Sequence, residues 1–173
     1  MRSKKPYTNA TFTKRVDKEA GRHRTLRAPS EPAVCEDCGS VYVNRRWSAA
    51  NSAIRNNRHK QWRPARMTIC PACQQKLTGE PRGFVYLDGA FVLEHYEEIE
   101  RLLRNEADRA AEDNPLARIL EWKRGKRHKF TVTTTTEHLA QRLGHALEKA
   151  YARPAHYDFS HENKLARVSW GRD

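Results

Sequence analysis

Cys35-Glu36-Asp37-Cys38-Gly39 and Cys70-Pro71-Ala72-Cys73 contain all four cysteines of the chain. A two-residue spacer lets both sulfurs of a pair turn toward one point, so two such pairs supply the four thiolates of a tetrahedral Zn²⁺ site. Gly39 suits the position after the first pair, because it can take a positive φ and aim backbone N–H groups at sulfur. Short apolar runs flank the pairs, Ala33-Val34 and Val41-Tyr42-Val43 around the first and Met67-Thr68-Ile69 before the second. Each pair is therefore expected at a turn between short strands, as in a zinc ribbon. The 31 residues between the pairs exceed the usual 15 to 20 of such sites, which argues against a compact ribbon but not against the metal, since ligands need only meet in space. Structural cysteines without metal and a redox dithiol are the competing readings. The second lacks a thioredoxin-like βαβ context.

Charge separates the chain into parts. The net charge is +12. Residues 1–34 carry nine basic and three acidic side chains, residues 39–69 carry seven basic and no acidic ones, and everything else holds 17 basic and 18 acidic. All the excess is thus confined to a tail and to the interval between the cysteine pairs, which is the footprint expected of a phosphate-binding surface. No apolar run reaches the ~18 residues needed to cross a bilayer, and Met1–Tyr7 lacks a signal-peptide core. A cytoplasmic protein is expected, and in a reducing compartment paired cysteines favour metal over disulfides.

Working outward, three regions emerge. Residues 1–32 contain Pro6, Pro29 and Pro32 and no sustained apolar period. They are expected to form a disordered basic arm, which either solubilises the chain or lies along RNA through Lys14, Arg15, Lys18, Arg22, Arg24 and Arg27. Residues 33–80 form the zinc module with its basic insertion. Residues 81–173 begin after Pro81 and Gly83 and form an α+β domain. Phe84–Leu87 reads as a strand, with Ala90–Val92 as a possible return after Asp88-Gly89. A helix follows over Glu94–Asp113 with Ile99, Leu102, Leu103 and Ala107 on one face. Strands over Ile119–Trp122 and Phe130–Thr133 flank the basic turn Lys123–Arg127. A second helix over Glu137–Tyr151 carries Leu139, Leu143, Ala146, Leu147 and Ala150, and the chain closes with His156–Phe159, a turn at Asn163, and the alternating Ala166, Val168 and Trp170. Strand, helix, strand, strand, helix, strand, strand is the order of a ferredoxin-like (split βαβ) layer with an extra C-terminal strand. The fold class is α+β, a four-cysteine zinc ribbon-like module followed by that layer.

The insertion supplies candidate RNA-binding residues: Arg45, Arg46, Trp47, Arg55, Arg58, Lys60, Trp62, Arg63 and Arg66. Cations suit phosphate, and flat rings suit unstacked bases. Two readings stay open for Trp47 and Trp62, which either stack on bases or pack over the cysteines. His59 is a spare ligand that four cysteines make unnecessary. Arg82-Gly83-Phe84-Val85-Tyr86 superficially matches the aromatic strand motif of RNA-recognition modules. It lies on the first strand rather than the third, so Phe84 and Tyr86 are expected in the core or against the zinc module.

The chain shows no sign of catalysis. His161-Glu162-Asn163 lacks the second histidine of a zinc-protease helix, and neither a G-x-S-x-G elbow nor a Gly-rich phosphate loop is present. Glu94, Glu97, Glu98 and Glu100 sit where they would complement a helix dipole. Thr133–Thr136 is expected to end a strand and cap the second helix. Four cysteines close a zinc shell that a catalytic metal would leave open. A non-enzymatic protein without a small-molecule substrate is expected. The competing class is a zinc-ribbon DNA-binding transcriptional regulator, and an RNA-processing enzyme ranks behind both.

CxxCG, a basic interval, CPxC, and an α+β segment with a Thr-Thr pair before a helix resemble the zinc-binding part of the Nmd-type family of ribosomal adaptors, and more closely its short bacterial relatives. The resemblance covers about residues 33–173. It implies zinc on Cys35, Cys38, Cys70 and Cys73, binding to ribosomal RNA with the large subunit as partner, and an effect on ribosome stability or mRNA decay. The chain has one four-cysteine site where eukaryotic members have more, and no nuclear-transport tail, so export is not implied.

Overall fold

The computed structural model describes residues 29–50, 66–126, 129–160 and 164–173. Among these residues two mixed sheets and four helices build an α+β architecture. The smaller sheet contains β1 (Ala33–Cys35), β2 (Val41–Val43), β3 (Arg46–Ser48) and β4 (Arg66–Thr68), in the order β3-β2-β1-β4. β4 runs parallel to β1, with Cys35 opposite Thr68. That pairing brings the C-terminal ends of the two strands to one side, which is what aligns the cysteine pairs.

Two local features of this sheet differ from the sequence expectation. Asn44 and Arg45 both take positive φ (54° and 61°) between the paired residues Val43 and Arg46. They form a tight two-residue hairpin loop of the kind that Asn tolerates. Glu31 holds this loop, its carboxylate accepting from Asn44 N (3.1 Å) and Arg45 N (2.6 Å). Secondly, the CPxC pair does not sit between strands. Cys70 caps helix α1 (Pro71–Thr78) and Cys73 lies within it. Pro71 occupies the first turn, where its missing N–H costs nothing, and Gly79 at φ 67° ends the helix.

The larger sheet has the order β6-β7-β5-β9-β8, from β5 (Gly83–Asp88), β6 (Ile119–Arg124), β7 (Phe130–Thr134), β8 (His156–Ser160) and β9 (Leu165–Gly171). The extra strand does not add to an edge. β9 inserts between β5 and β8 and runs parallel to β5, whereas a four-stranded split βαβ sheet is antiparallel throughout. Ala90–Glu94 is a short helix, α2, rather than a returning strand. Gly89 at φ 111° turns the chain after β5, and Phe91 packs on His95, Tyr151 and Trp170. The expected first helix accordingly starts at Tyr96 and runs to Asp113 (α3), and α4 spans Glu137–Tyr151 with Thr136 as its cap, accepting from Leu139 N.

The core lies between α3, α4 and one face of this sheet. Val85 and Leu87 of β5, Val132 of β7 and Val168 of β9 point into it. Ile99 and Leu103 of α3 meet Leu139, Leu143 and Leu147 of α4 there, all at most 1% exposed. Leu102 is half-buried, and Ala150 is exposed, off the face its spacing suggested. Gly144 allows the close approach of α4 to the sheet: a Cβ there would lie 2.7 Å from Val168 Cγ1 and 2.8 Å from the Tyr157 hydroxyl. Phe84 and Tyr86 alternate out of this core onto the opposite face and line a groove with Gln75, Lys76 and Gly79 of the metal module, the second of the two places expected for them. The turn at Asn163 lies outside the described residues.

Candidate metal centre

Cys35 ends β1, Cys38 and Gly39 make the turn that returns to β2, and Cys70 and Cys73 begin α1. The turn is closed by backbone bonds, Cys35 N to Ser40 O (2.8 Å) and Gly39 N to Cys35 O (2.9 Å), with Gly39 at φ 70°. The four Sγ atoms lie within 4.8 Å of one another, and Cys38 and Cys70 are 3.7 Å apart. A tetrahedron with metal–sulfur bonds of about 2.3 Å has edges of about 3.8 Å, so the donor set fits one ion without rearranging the backbone. Cys35, Cys70 and Cys73 are buried and Cys38 is half-buried. No disulfide links them.

Backbone N–H groups already address the sulfurs. Cys70 N donates to Cys35 Sγ (3.2 Å) and Cys73 N to Cys70 Sγ (3.5 Å), the latter from the first turn of α1, whose dipole also favours negative charge. Ser40 Oγ lies 3.2 Å from Cys38 Sγ. Burial pushes the Cys38 thiol up, but hydrogen bonds from the Ser40 side chain and backbone, with help from Arg118, outweigh it and bring it down to about 6. Burial pushes Cys70 up to about 11 and raises Cys73 as well. One thiolate is therefore favoured and further ones repel each other, a conflict that a divalent cation resolves.

The residues that sequence reasoning missed come from the α+β domain. Arg118 Nη1 donates to Cys73 Sγ (3.7 Å), and Leu116 packs against the cysteines. Arg118 is held from behind, with Nε donating to Pro115 O (2.8 Å) and its backbone N to Thr135 Oγ1 (2.8 Å). Thr135 in turn donates to Leu116 O (2.5 Å). Four thiolates and one divalent ion sum to a charge of −2, so a guanidinium here offsets part of it. Nothing local marks Arg118 in the sequence, because its partner is 45 residues away. The metal centre is thus not an autonomous ribbon but a seam between the small sheet and the larger domain.

Of the cationic candidates, the structure describes Arg45, Arg46, Trp47 and Arg66. Arg45 and Arg46 are exposed at the β2–β3 tip, and Arg66 is exposed at the start of β4 with Nη1 3.4 Å from Ser30 Oγ. Trp47 is half-buried, with its ring centroid 5.3 Å from that of Tyr42 and its side chain against the cysteines. This is the packing alternative for Trp47. Lys14, Arg15, Lys18, Arg22, Arg24, Arg27, Arg55, Arg58, Lys60, Trp62 and Arg63 lie outside the described residues. The glutamates read as helix-dipole partners form ordinary surface pairs, such as His95 with Glu98 (3.4 Å) and Arg104 with Glu100. No helix among the described residues is long and apolar enough to cross a membrane. Comparison with models of protein families, with curated proteins and with solved structures returns no match.

Proposed function

We propose that this chain is a non-enzymatic, cytoplasmic zinc protein that binds ribosomal RNA and associates with the large ribosomal subunit, as its resemblance to the short bacterial Nmd-type proteins implies. The observation that carries this reading is the convergence of four sulfurs at the base of residues 39–69, a stretch with seven cations and no acid. Soft thiolate donors in tetrahedral reach suit zinc, and with all four positions filled by sulfur the ion serves structure. The ion would pin both ends of the cationic stretch, so that Arg45 and Arg46 at the hairpin tip, Arg66 at the strand, and Arg55, Arg58, Lys60 and Arg63 between them meet phosphate. Trp62 is the ring available for stacking, while Trp47 serves the metal seam. The α+β domain is a split βαβ layer elaborated by β9.

The test is sedimentation of the tagged chain from lysate through a sucrose gradient, with and without RNase. Co-migration with the large subunit that RNase abolishes is the expected result. Purified protein should lose affinity for ribosomal RNA by orders of magnitude between about 50 and 200 mM salt if six or more phosphates are neutralised. Combined replacement of Arg45, Arg46, Arg58 and Arg63 should abolish binding and leave zinc content unchanged. A flat salt response would overturn the reading, and tighter binding to duplex DNA than to RNA would overturn it in favour of the regulator class.

A further inference from the structure

Among the described residues α3 and α4 cover one face of the larger sheet, and the other face carries aromatic rings. Strand alternation puts Phe84 and Tyr86 of β5 there, beside Thr133 and Thr131 of β7 and beside Arg167 and Ser169 of β9, as the register dictates. The two rings are half-buried and nearly parallel, 4° between planes with centroids 6.0 Å apart. The Arg167 guanidinium sits 6.0 Å from the Phe84 centroid. One end of this face opens into a groove of about 560 Å³. Helix α1 of the metal module forms its rim with Lys76 and Gln75, and β6 contributes Lys123. Gln75 Oε1 is buried without a hydrogen-bond partner among the described residues.

We infer that this face is a stacking platform for single-stranded RNA. Core-forming aromatics would pair mainly with apolar neighbours, whereas across the strands these meet Thr131, Thr133, Arg167 and Ser169, with Pro81 and Leu120 in the adjoining groove. Lys76, Lys123 and Arg167 outnumber the acidic Glu121 and Asp158, and Lys123 is 2.9 Å from Glu121. A parallel aromatic pair two residues apart on one strand offers ring surface in series, and unstacked bases lie on such rings whatever their sequence. Arg167, whose guanidinium lies over the Phe84 ring, adds positive charge beside the platform. The carbonyl of Gln75 offers an acceptor to a base edge. Among the described residues a peptide partner would meet only Pro81 and Leu120 as apolar contacts beyond the two rings, and a second copy would bring like charges together. The inference rests on the RNA reading but uses a different surface, since the hairpin tip and cationic stretch meet phosphate while the sheet face meets bases. It places the metal module as one wall of the base-binding groove.

The experiment uses the full, zinc-loaded chain and fluorescence anisotropy with a labelled oligouridylate of about 12 nucleotides and an RNA duplex of equal length. Phe84→Leu combined with Tyr86→Leu keeps apolar bulk and removes the rings. The expected result is a loss of single-strand affinity on the order of thirtyfold with duplex affinity unchanged. Equal single-strand binding by variant and parent overturns the platform while leaving the RNA reading intact. A parent that binds neither probe overturns both. Should the double variant not fold, photocrosslinking of the parent to a 5-iodouridine oligonucleotide decides: adducts on the peptide holding Phe84 and Tyr86 support the platform, and adducts found only elsewhere overturn it. A concentration-dependent dimer of the parent that Phe84→Leu with Tyr86→Leu dissociates would assign the face to a second copy and overturn the inference.

Discussion

Replacing Arg118 by Met keeps most of the side-chain stem and removes the only guanidinium seen to reach the sulfurs among the described residues. The contact is a charge-assisted hydrogen bond of 3.7 Å from Nη1 to Cys73 Sγ, long for nitrogen to oxygen but ordinary for sulfur. A hydrogen bond to a charged group contributes about 1.5–3 kcal/mol to the state that makes it. The full Coulomb attraction of opposite charges ~4 Å apart at an effective dielectric of 20 is about 4 kcal/mol, an upper bound that partial solvent access reduces. Because Arg118 is half-buried, about 2 kcal/mol is the working figure, equivalent to roughly thirtyfold in metal affinity. That agrees with the 10- to 100-fold cost of removing partners that orient or neutralise metal ligands. The assay is zinc competition with a chromophoric chelator at pH 7, alongside thermal unfolding with and without zinc. Arg118→Met should weaken zinc about thirtyfold and lower the melting temperature more in the zinc-loaded protein than in the chelated one. Arg118→Lys should fall between, since it restores charge but not the second arm that donates to Pro115 O. An unchanged zinc affinity, or an equal loss of stability in both forms, would refute the idea that this side chain neutralises the thiolates.

Three further outcomes test the rest of the structure. Cys38→Ser should abolish stoichiometric zinc, measured by atomic emission, and unfold the small sheet, since metal binding is folding energy for such a site. Gly83→Ala should destabilise the larger domain by roughly 1–3 kcal/mol in denaturant titration, because the added Cβ would stand 2.2 Å from Thr134 Oγ1 and 2.6 Å from Ala140 Cβ. Burial raises the Glu148 carboxyl, but the backbone N–H of Ala155 at 2.8 Å, with His145 and Tyr157, outweighs it and holds the carboxyl below the ordinary glutamate range. Its contribution to stability is then fully present above the unfolded value near 4.3 and is lost as pH falls through the lower folded value. Stability of Glu148→Gln should accordingly vary less with pH in that acidic window.

The parts of this molecule that could be read from sequence were those whose cause is local. Paired cysteines two residues apart announced their shared ligand, and the i, i+4 leucines of α4 announced the buried face of a helix with its Thr136 cap. Short segments with ambiguous period were misread: Ala90–Val92 has strand-like residues but is wound into a turn of helix by Gly89 and the packing of Phe91. The Asn44-Arg45 hairpin was missed because its second residue is not glycine, and Glu31 supplies from afar what glycine would have supplied locally. Phe84 and Tyr86 were left between the core and the zinc module, because aromatic content alone does not say which face of a strand a sheet will cover. Arg118 and Leu116 were invisible for a different reason. Their meaning comes from the seam between two sheets, and no window of sequence contains both sides of it.

The order in which the strands are made differs from the order in which they lie. β9 is synthesised after the other described strands yet occupies an interior position, so until residues 165–171 are available, β5 and β8 have no strand between them to join them. The half of the sheet formed by β6, β7 and β5 can pair first, while β8 has nowhere to attach. A truncation at Lys164 should therefore do more than trim an edge: it should detach a strand that precedes the cut and lay bare the hydrogen-bonding edge of β5, making aggregation the signature of an unfinished chain.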